Sequence, residues 1–290
     1  MRLALSLVAA LALQQPPATV DESARFHHVH LNVTDPQKTL AFYSKFFGAS
    51  PVKFGGTADA LFTERSFLLL QKVASPAPSI LTTGIWHIGW GGVNVPVEYE
   101  GLKAGAVEFH TPPTPLGANH YMYLFGPDRE LVEIYSGERN HRFNHVHLFA
   151  SDVNVTSQWY ADHLGLALQR RTVPRPTEPS RLWLNAVIVD NVTFYVFAKP
   201  DTDPPPSWWR DPPLKTLEAT RGHVIDHIAF SYRDIAPVFA RFKAAGVAIV
   251  EPIGTRDPYP LKSFFVQGPD QVLVEIVEAR PIPDASWDKE

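Results

Sequence analysis

The stretch FHHVHLNVTDPQKTLAFYSKFFGA, which begins at Phe26, has a counterpart in FNHVHLFASDVNVTSQWYADHLGL, which begins at Phe143. Without a gap, Phe26, His28, Val29, His30, Leu31, Asp35, Thr39, Tyr43 and Gly48 recur as Phe143, His145, Val146, His147, Leu148, Asp152, Thr156, Tyr160 and Gly165. A match held at a constant offset over this length marks a duplicated structural unit. Further along, GPDRELVEI from Gly126 returns as GPDQVLVEI from Gly268, and WHIGW from Trp86 is echoed by DHIAF from Asp226. The duplication therefore spans both halves of the chain, and each half holds two smaller units.

Each unit opens with a short run rich in β-branched and aromatic residues, as at His28 or His227, which predicts a strand. A helix follows in the first unit. Asp35 can cap it, Pro36 suits its first turn, and Leu40, Tyr43 and Phe47 share one face. Asp152 and Asp234 offer similar starts, and Gly48, Gly105, Gly165 and Gly246 stand where helices should end. Three more short strands complete a β-α-β-β-β unit. The expected fold class is α+β, built of four such modules. The expected division is a signal peptide and leader over residues 1–24, an N-terminal domain of modules 1 and 2 over 25–140, a C-terminal domain of modules 3 and 4 over 141–280, and a tail over 281–290. Pro-rich residues 174–179 and 200–213 cannot be central strands, because Pro lacks the ladder donor. The second of these carries Trp208 and Trp209 and can serve either as a lid over a pocket or as a surface loop held down by its two indoles.

With 45% apolar and 19% charged residues in 290, the composition is that of a folded globular protein. A formal charge of −4 without a basic cluster excludes nucleic acid as an expected partner. Arg2, the apolar run that follows it and Ala10-Leu11-Ala12 read as a cleavable export signal, which predicts a periplasmic or secreted protein with no membrane contact after processing. The chain has no Cys, so disulfides, thiol nucleophiles and Cys-ligated metals are excluded.

Any metal must then be held by His and carboxylate. Residues two apart in a strand face one way, so His28 and His30 share a face and His27 takes the other; His145 and His147 repeat the first pair. The remaining units supply His87 and His227 at the start of their first strands, and Glu133 and Glu275 within apolar last strands. A carboxylate in such a strand needs a cation or an Arg to offset burial, Arg129 and Arg142 being the alternatives for Glu133. Taken along the chain, each half holds a His…His…Glu set that could bind one divalent ion and leave coordination positions open.

These motifs, namely the strand-opening His with its Asp-led helix, HIGW and HIAF, and GPD-x4-E, resemble the vicinal oxygen chelate superfamily over residues 26–278. That superfamily includes glyoxalase I, extradiol ring-cleaving dioxygenases, methylmalonyl-CoA epimerase and the fosfomycin and bleomycin resistance proteins. The resemblance implies that the four modules form two paired-module incomplete barrels, each around a metal that chelates two neighbouring substrate oxygens. It implies metal ligands at His28, His87, Glu133, His145, His227 and Glu275, with His30, His147 and Tyr123 lining the pocket. Glyoxalase I would bring a fourth ligand on the last strand of the odd modules, where only Gln71 is available in the first and Val192 to Val196 carry no carboxylate. The three-ligand set is closer to the dioxygenases, which makes iron(II) the first expectation, ahead of zinc, nickel or manganese. Their pocket His is absent, Thr114 standing in its place, with His110 and His120 as substitutes. The expected function is a metal-dependent dioxygenase, lyase or isomerase acting on a small molecule, and self-association into a homo-oligomer is compatible with the resemblance. The alternative is a non-catalytic binding or antibiotic-resistance module whose cup is lined by Trp86, Trp90, Trp159 and Trp183.

Overall fold

The computed structural model describes residues 23–78, 82–171, 184–203, 209 and 211–279. The expected signal (residues 1–22 of the leader), the 281–290 tail, the Pro-rich 174–179 stretch, Trp183 and Trp208 lie outside the described residues.

Four modules of the same element order follow one another. Module 1 is β1 (Arg25–Val33), α1 (Pro36–Phe47), β2 (Ser50–Phe54), β3 (Ala58–Thr63) and β4 (Ser66–Lys72); module 2 is β5 (Ile85–Gly92), α2 (Val95–Ala104), β6 (Phe109–Leu116), β7 (Asn119–Phe125) and β8 (Leu131–Ser136). Module 3 is β9 (Arg142–Ala150), α3 (Val153–Leu164), β10 (Ala167–Arg171), β11 (Leu184–Val189) and β12 (Val192–Ala198); module 4 is β13 (Ile225–Tyr232), α4 (Ile235–Ala244), β14 (Ile249–Arg256), β15 (Leu261–Gln267) and β16 (Leu273–Glu278). Asp35 caps α1 by accepting from the backbone N–H groups of Gln37 and Lys38, and Asp152 does the same for α3 through Asn154 and Val155. Gly48 and Gly165 close these helices at φ 65° and 71°, the left-handed conformation that glycine adopts without a Cβ clash. Gly105 differs from expectation: its φ is −81°, and Ala106 takes the left-handed position at φ 58°. The Pro-containing β6 is an edge strand, where missing ladder donors cost least.

The strands form two open eight-stranded sheets, in the order β14-β15-β16-β13-β1-β4-β3-β2 and β10-β11-β12-β9-β5-β8-β7-β6. Module 1 thus pairs with module 4, and module 2 with module 3. The boundaries at 25–140 and 141–280 mark repeats of sequence, not sheets, because each sheet takes one module from each half. The joints are the antiparallel pairs β1–β13 and β5–β9.

The halves are held together behind the sheets. Phe26 stacks on Phe143 at 5.6 Å between ring centroids and meets Phe194 and Phe230 edge-on, joining three modules in one aromatic cluster. Tyr43 and Phe47 of α1 pack on Trp90 of β5 at 5.3 and 5.0 Å. The two GPD turns add polar ties within each half. Asp128 accepts from the backbone and hydroxyl of Thr34 at 3.0 and 2.6 Å, and Asp270 from Ser151 N and Thr156 Oγ1, both at 2.9 Å. The largest apolar core therefore lies on one face of both sheets, and the other face of each carries polar side chains beside a smaller apolar cluster.

Candidate metal centres

Those other faces carry the histidines, and irregularities in strand pairing aim them. In β1 the register runs from Phe26↔Phe230 directly to His28↔Ala229, which leaves His27 as an extra, bulged residue. Matching shifts make Trp86, Asn144 and Asp226 the extra residues in β5, β9 and β13. Each bulged residue directly precedes one of the four strand-opening histidines. The bulge also turns His27 onto the face of His28, against the alternation expected for a regular strand; the Nδ1 atoms of the two rings share a hydrogen bond of 2.7 Å, and His27 packs on Phe54 and Phe67.

In the first centre Gly89 sits in register between Glu133 of β8 and His145 of β9, and His147 faces His87 across the β5–β9 joint. Glu133 Oε2 lies 2.8 Å from His87 Nε2, 3.1 Å from His145 Nε2 and 3.7 Å from His147 Nδ1. Ligand atoms from these four buried residues all fall within 4.8 Å of one another. The absence of a side chain at Gly89 permits this, since a Cβ there would stand 1.9 Å from His145 Nε2.

The second centre uses the same positions. His28 Nε2 and His227 Nε2 are each 3.2 Å from Glu275 Oε2 and 3.4 Å from each other, with His30 stacked on the His227 ring at 4.5 Å. All six expected ligands are therefore brought together, but in different sets. Neither half holds a complete centre: His87 and Glu133 meet His145, and His227 and Glu275 meet His28, because the sheets join module 2 to 3 and module 4 to 1.

Electrostatics favour a cation at both places. Burial alone would raise the Glu133 carboxyl, and the His147, His145 and His87 imidazoles more than reverse this, holding it well below the usual carboxylate range. Glu275 is depressed likewise by His227 and His28 against the same effect of burial. Burial lowers His87, His28 and His147, which favours neutral rings able to donate a lone pair, whereas at His227 the Asp226 and Glu275 carboxylates more than reverse the effect of burial and raise the ring to about 9. Arg does not compete for Glu133, because Arg129 pairs with Glu108 at 2.8 Å and Arg142 with Glu138 and Glu64 at 3.2 and 3.4 Å.

The outer nitrogens follow the bulges. His145 Nδ1 donates to Asn144 Oδ1 and His227 Nδ1 to Asp226 Oδ1, both at 2.6 Å, which turns each Nε2 toward its glutamate; the His227 Nε2 would give up a proton to take a cation. A lone pair aimed at a carboxylate oxygen about 3 Å away is repulsive unless a proton or cation lies between. The triangle of His28 Nε2, His227 Nε2 and Glu275 Oε2 has edges of 3.2, 3.2 and 3.4 Å. A point at the roughly 2.0–2.2 Å of zinc–nitrogen and zinc–oxygen bonds from all three lies near their plane. Both donor sets thus fit a divalent ion.

The model of the glyoxalase/bleomycin resistance protein/dioxygenase superfamily matches residues 25–134 and 142–276. The chain belongs to this superfamily. Among solved structures it is similar to glyoxalase I from Zea mays, at 18% identity over 88% of this chain and 92% of that one, with a TM-score of 0.67. It is also similar to a "putative dioxygenase" from Bacillus subtilis, at 13% identity over 88% and 85%, with a TM-score of 0.61. These are likenesses of fold. None of the curated proteins matches the sequence.

Around the superfamily's shared frame the two centres differ. A cavity of about 370 Å³ opens beside the first, with Glu133, His145 and His147 in its wall, joined by Thr193, Tyr195 and Arg142. Thr193 and Tyr195 are the residues in register with His145 and His147 on β12; on β4 the same positions beside His28 and His30 are Phe67 and Leu69. No carboxylate stands at either, so the fourth ligand of glyoxalase I has no counterpart there. Gln71 does not replace it, since it lies opposite Asn32 at the strand end and donates to the Lys72 carbonyl.

Tyr123 sits opposite Glu133 on β7, its ring 5.0 Å from His87, and burial followed by the Glu133 charge pushes its hydroxyl well above the ordinary tyrosine range. His110 lies near it at 6.2 Å and pairs with Asp211, whereas His120 shares the face of Met122 and Leu124, which point into the core, and so lies on the face opposite Tyr123. Of the expected Trp lining, Trp86 flanks His87 at 4.6 Å, but Trp90 is fully buried in the core and Trp159 packs on Tyr160 and Phe242. Trp209 covers the outer side of Trp86 and Phe149 at 5.6 and 5.3 Å, so this end of the Pro-rich segment packs onto the aromatic wall beside the centre. Sequence reading missed the bulged residues, although a side chain able to accept a hydrogen bond directly before three of the four histidines was a signal for them.

Proposed function

We propose that this chain is a metal-dependent enzyme that takes a small molecule with two adjacent oxygens into the cavity of the first centre. The supporting observation is the convergence of His87 and His145 on Glu133, with His145 and Glu133 in the wall of that cavity, and among the described residues only imidazoles neutralise this carboxylate. His87 Nε2, His145 Nε2 and a Glu133 oxygen would hold the ion, iron(II) being the first expectation and zinc, nickel or manganese the others. When bound, such an ion polarises a chelated oxygen or lowers the pKa of a hydroxylic ligand.

The chain's own residues do the rest. Asn144 keeps His145 oriented by accepting a hydrogen bond from its Nδ1–H. His147, neutral through burial and with an Nδ1 that has no hydrogen-bond partner, can accept a proton from a bound molecule. Tyr123 remains protonated and closes the His87 side, while Trp86, Phe149 and Trp209 keep water from the back of the ring. The reaction is of the oxygenation, isomerisation or elimination type. Export through the 1–24 leader belongs to the same proposal, and outside the cytosol a glutathione-dependent reaction would lack its thiol pool.

The test is metal analysis and turnover of purified protein against vicinal diols, catechols and 2-oxoaldehydes, with His145→Ala and Glu133→Gln as controls. Both variants should lose the ion of this centre and, with it, turnover by at least about 100-fold. Binding with every compound recovered unchanged would replace this reading by that of a sequestering module.

A further inference from the structure

We propose that the second centre, His28, His227 and Glu275, holds a divalent cation as a structural clamp between the two halves of the chain and is closed to substrate. The inference stands beside the proposed function but does not rest on it, because the two centres share no residue.

Space is the first argument. Where the first centre has its cavity, the second has a packed apolar cluster of Ala58, Ala60, Phe67, Leu69, Tyr259 and Val277, all buried. Phe67 and Leu69 take the register positions of Thr193 and Tyr195, and Val277 that of Tyr135. Tyr259, from the turn between β14 and β15, is fixed over this ground. Its hydroxyl accepts from Leu70 N at 2.7 Å and donates to the Asp59 carbonyl at 2.6 Å, with its ring 5.6 Å from Phe54 and 6.1 Å from His30. A substrate oxygen approaching His28 from the β4 side would have to displace these rings.

Ligand support is the second. The bulged residue before His227 is Asp226, whose other oxygen accepts from Gly222 N and Asn32 Nδ2, so the carboxylate that orients this imidazole is itself held on both sides. His28 is oriented by His27. In the first centre the bulged residue before His87 is Trp86, which carries no acceptor, and His87 Nδ1 is left without a hydrogen-bond partner. Carboxylate-backed imidazoles bind metal more tightly, typically by about 10–100-fold over those lacking such a partner. His30 also offers a ligand atom within 4.8 Å of those of His28 and His227, so a third imidazole stands beside this pair. Position is the third argument: His28 belongs to the first module and His227 and Glu275 to the last, so an ion here bridges β1, β13 and β16 at the joint that brings the two ends of the chain into one sheet.

Cobalt(II) titration of the full-length protein, followed by visible absorption, chelator competition and thermal unfolding, decides the matter. Wild type should take up two Co(II) in classes at least tenfold apart in affinity. Glu133→Gln should keep the tighter one, show a fall in Tm of several degrees when it is stripped, and give a spectrum that does not change on adding catechol. Glu275→Gln should keep only the weaker ion, its spectrum should respond to catechol, and stripping it should leave Tm nearly unchanged. Asp226→Asn, which preserves shape, should weaken the tight class by about tenfold, and Phe67→Thr should make it respond to catechol. The inference is overturned if Glu133→Gln binds no Co(II), if its spectrum shifts with catechol, or if stripping it does not lower Tm. Failure of the first centre would instead appear as a Glu275→Gln protein without Co(II), so the two proposals fail separately.

Discussion

Glu130 is buried without a cation. It accepts from the Tyr43 hydroxyl at 2.8 Å and from Asp128 N at 3.0 Å, and its carboxyl is pushed up to about 7, by burial above all, with those two hydrogen bonds pulling the other way. The folded pKa is raised from 4.5, so between pH 4.5 and 7 the folded protein holds a proton that the unfolded chain has released. Stability contributed by the neutral acid is therefore fully present below pH 4.5, falls as pH rises through this window, and stays lost above 7. At about 1.4 kcal/mol per pKa unit, the shift corresponds to roughly 3 kcal/mol. Glu130→Gln keeps an acceptor for Tyr43 and cannot ionise. Urea unfolding of wild type and variant at pH 4.5, 5.5, 6.5 and 7.5, in the presence of excess EDTA, isolates the effect, since every other group cancels in the difference. The variant should match wild type within about 1 kcal/mol at pH 4.5 and exceed it by roughly 2–3 kcal/mol at pH 7.5. The second half makes the replacement plausible, because Val272 occupies the position of Glu130 in the matching turn. Parallel pH profiles for the two proteins would falsify the reasoning.

Two further outcomes follow from contacts. Gly89→Ala places a methyl against the His145 ring and should drive it from Glu133, lowering Zn(II) affinity of the first centre at least tenfold in chelator competition; unchanged affinity would refute the role given to that glycine. Trp209→Ala removes an indole packed on Trp86 and Phe149 whose Nε1 donates to the Pro212 carbonyl, and should cost about 3 kcal/mol in urea unfolding; a loss below about 1 kcal/mol would show that the segment does not cover the aromatic wall.

Much of this architecture is carried by short-range pattern. Alternation around His28 and His145, the Asp caps at residues 35 and 152, and the glycines at 48 and 165 are each decided within a few residues, so the modules and all six candidate ligands could be read from the chain. Glu133 and Glu275 stood out because a carboxylate in an apolar strand needs a partner nearby.

Which module pairs with which could not be read in the same way. The edges of β1, β5, β9 and β13 carry equivalent backbone donors and acceptors, and their side-chain patterns are too alike to specify one neighbour. The choice falls to contacts distant in sequence: the GPD turns tie modules within a half behind the sheets, Phe26 on Phe143 joins one half to the other, and each joint strand is left to its partner in the other half. The bulges at His27, Trp86, Asn144 and Asp226 depend on that pairing, because an extra residue is defined only against the strand opposite. Likewise, the contrast between a cavity at Thr193 and a filled core at Phe67 arises only once Tyr259, from the far end of the chain, packs over β4. The candidate ligands were written in the sequence; their sorting into two unlike clusters was decided by tertiary packing, because hydrogen-bond ladders accept any edge and packed side chains do not.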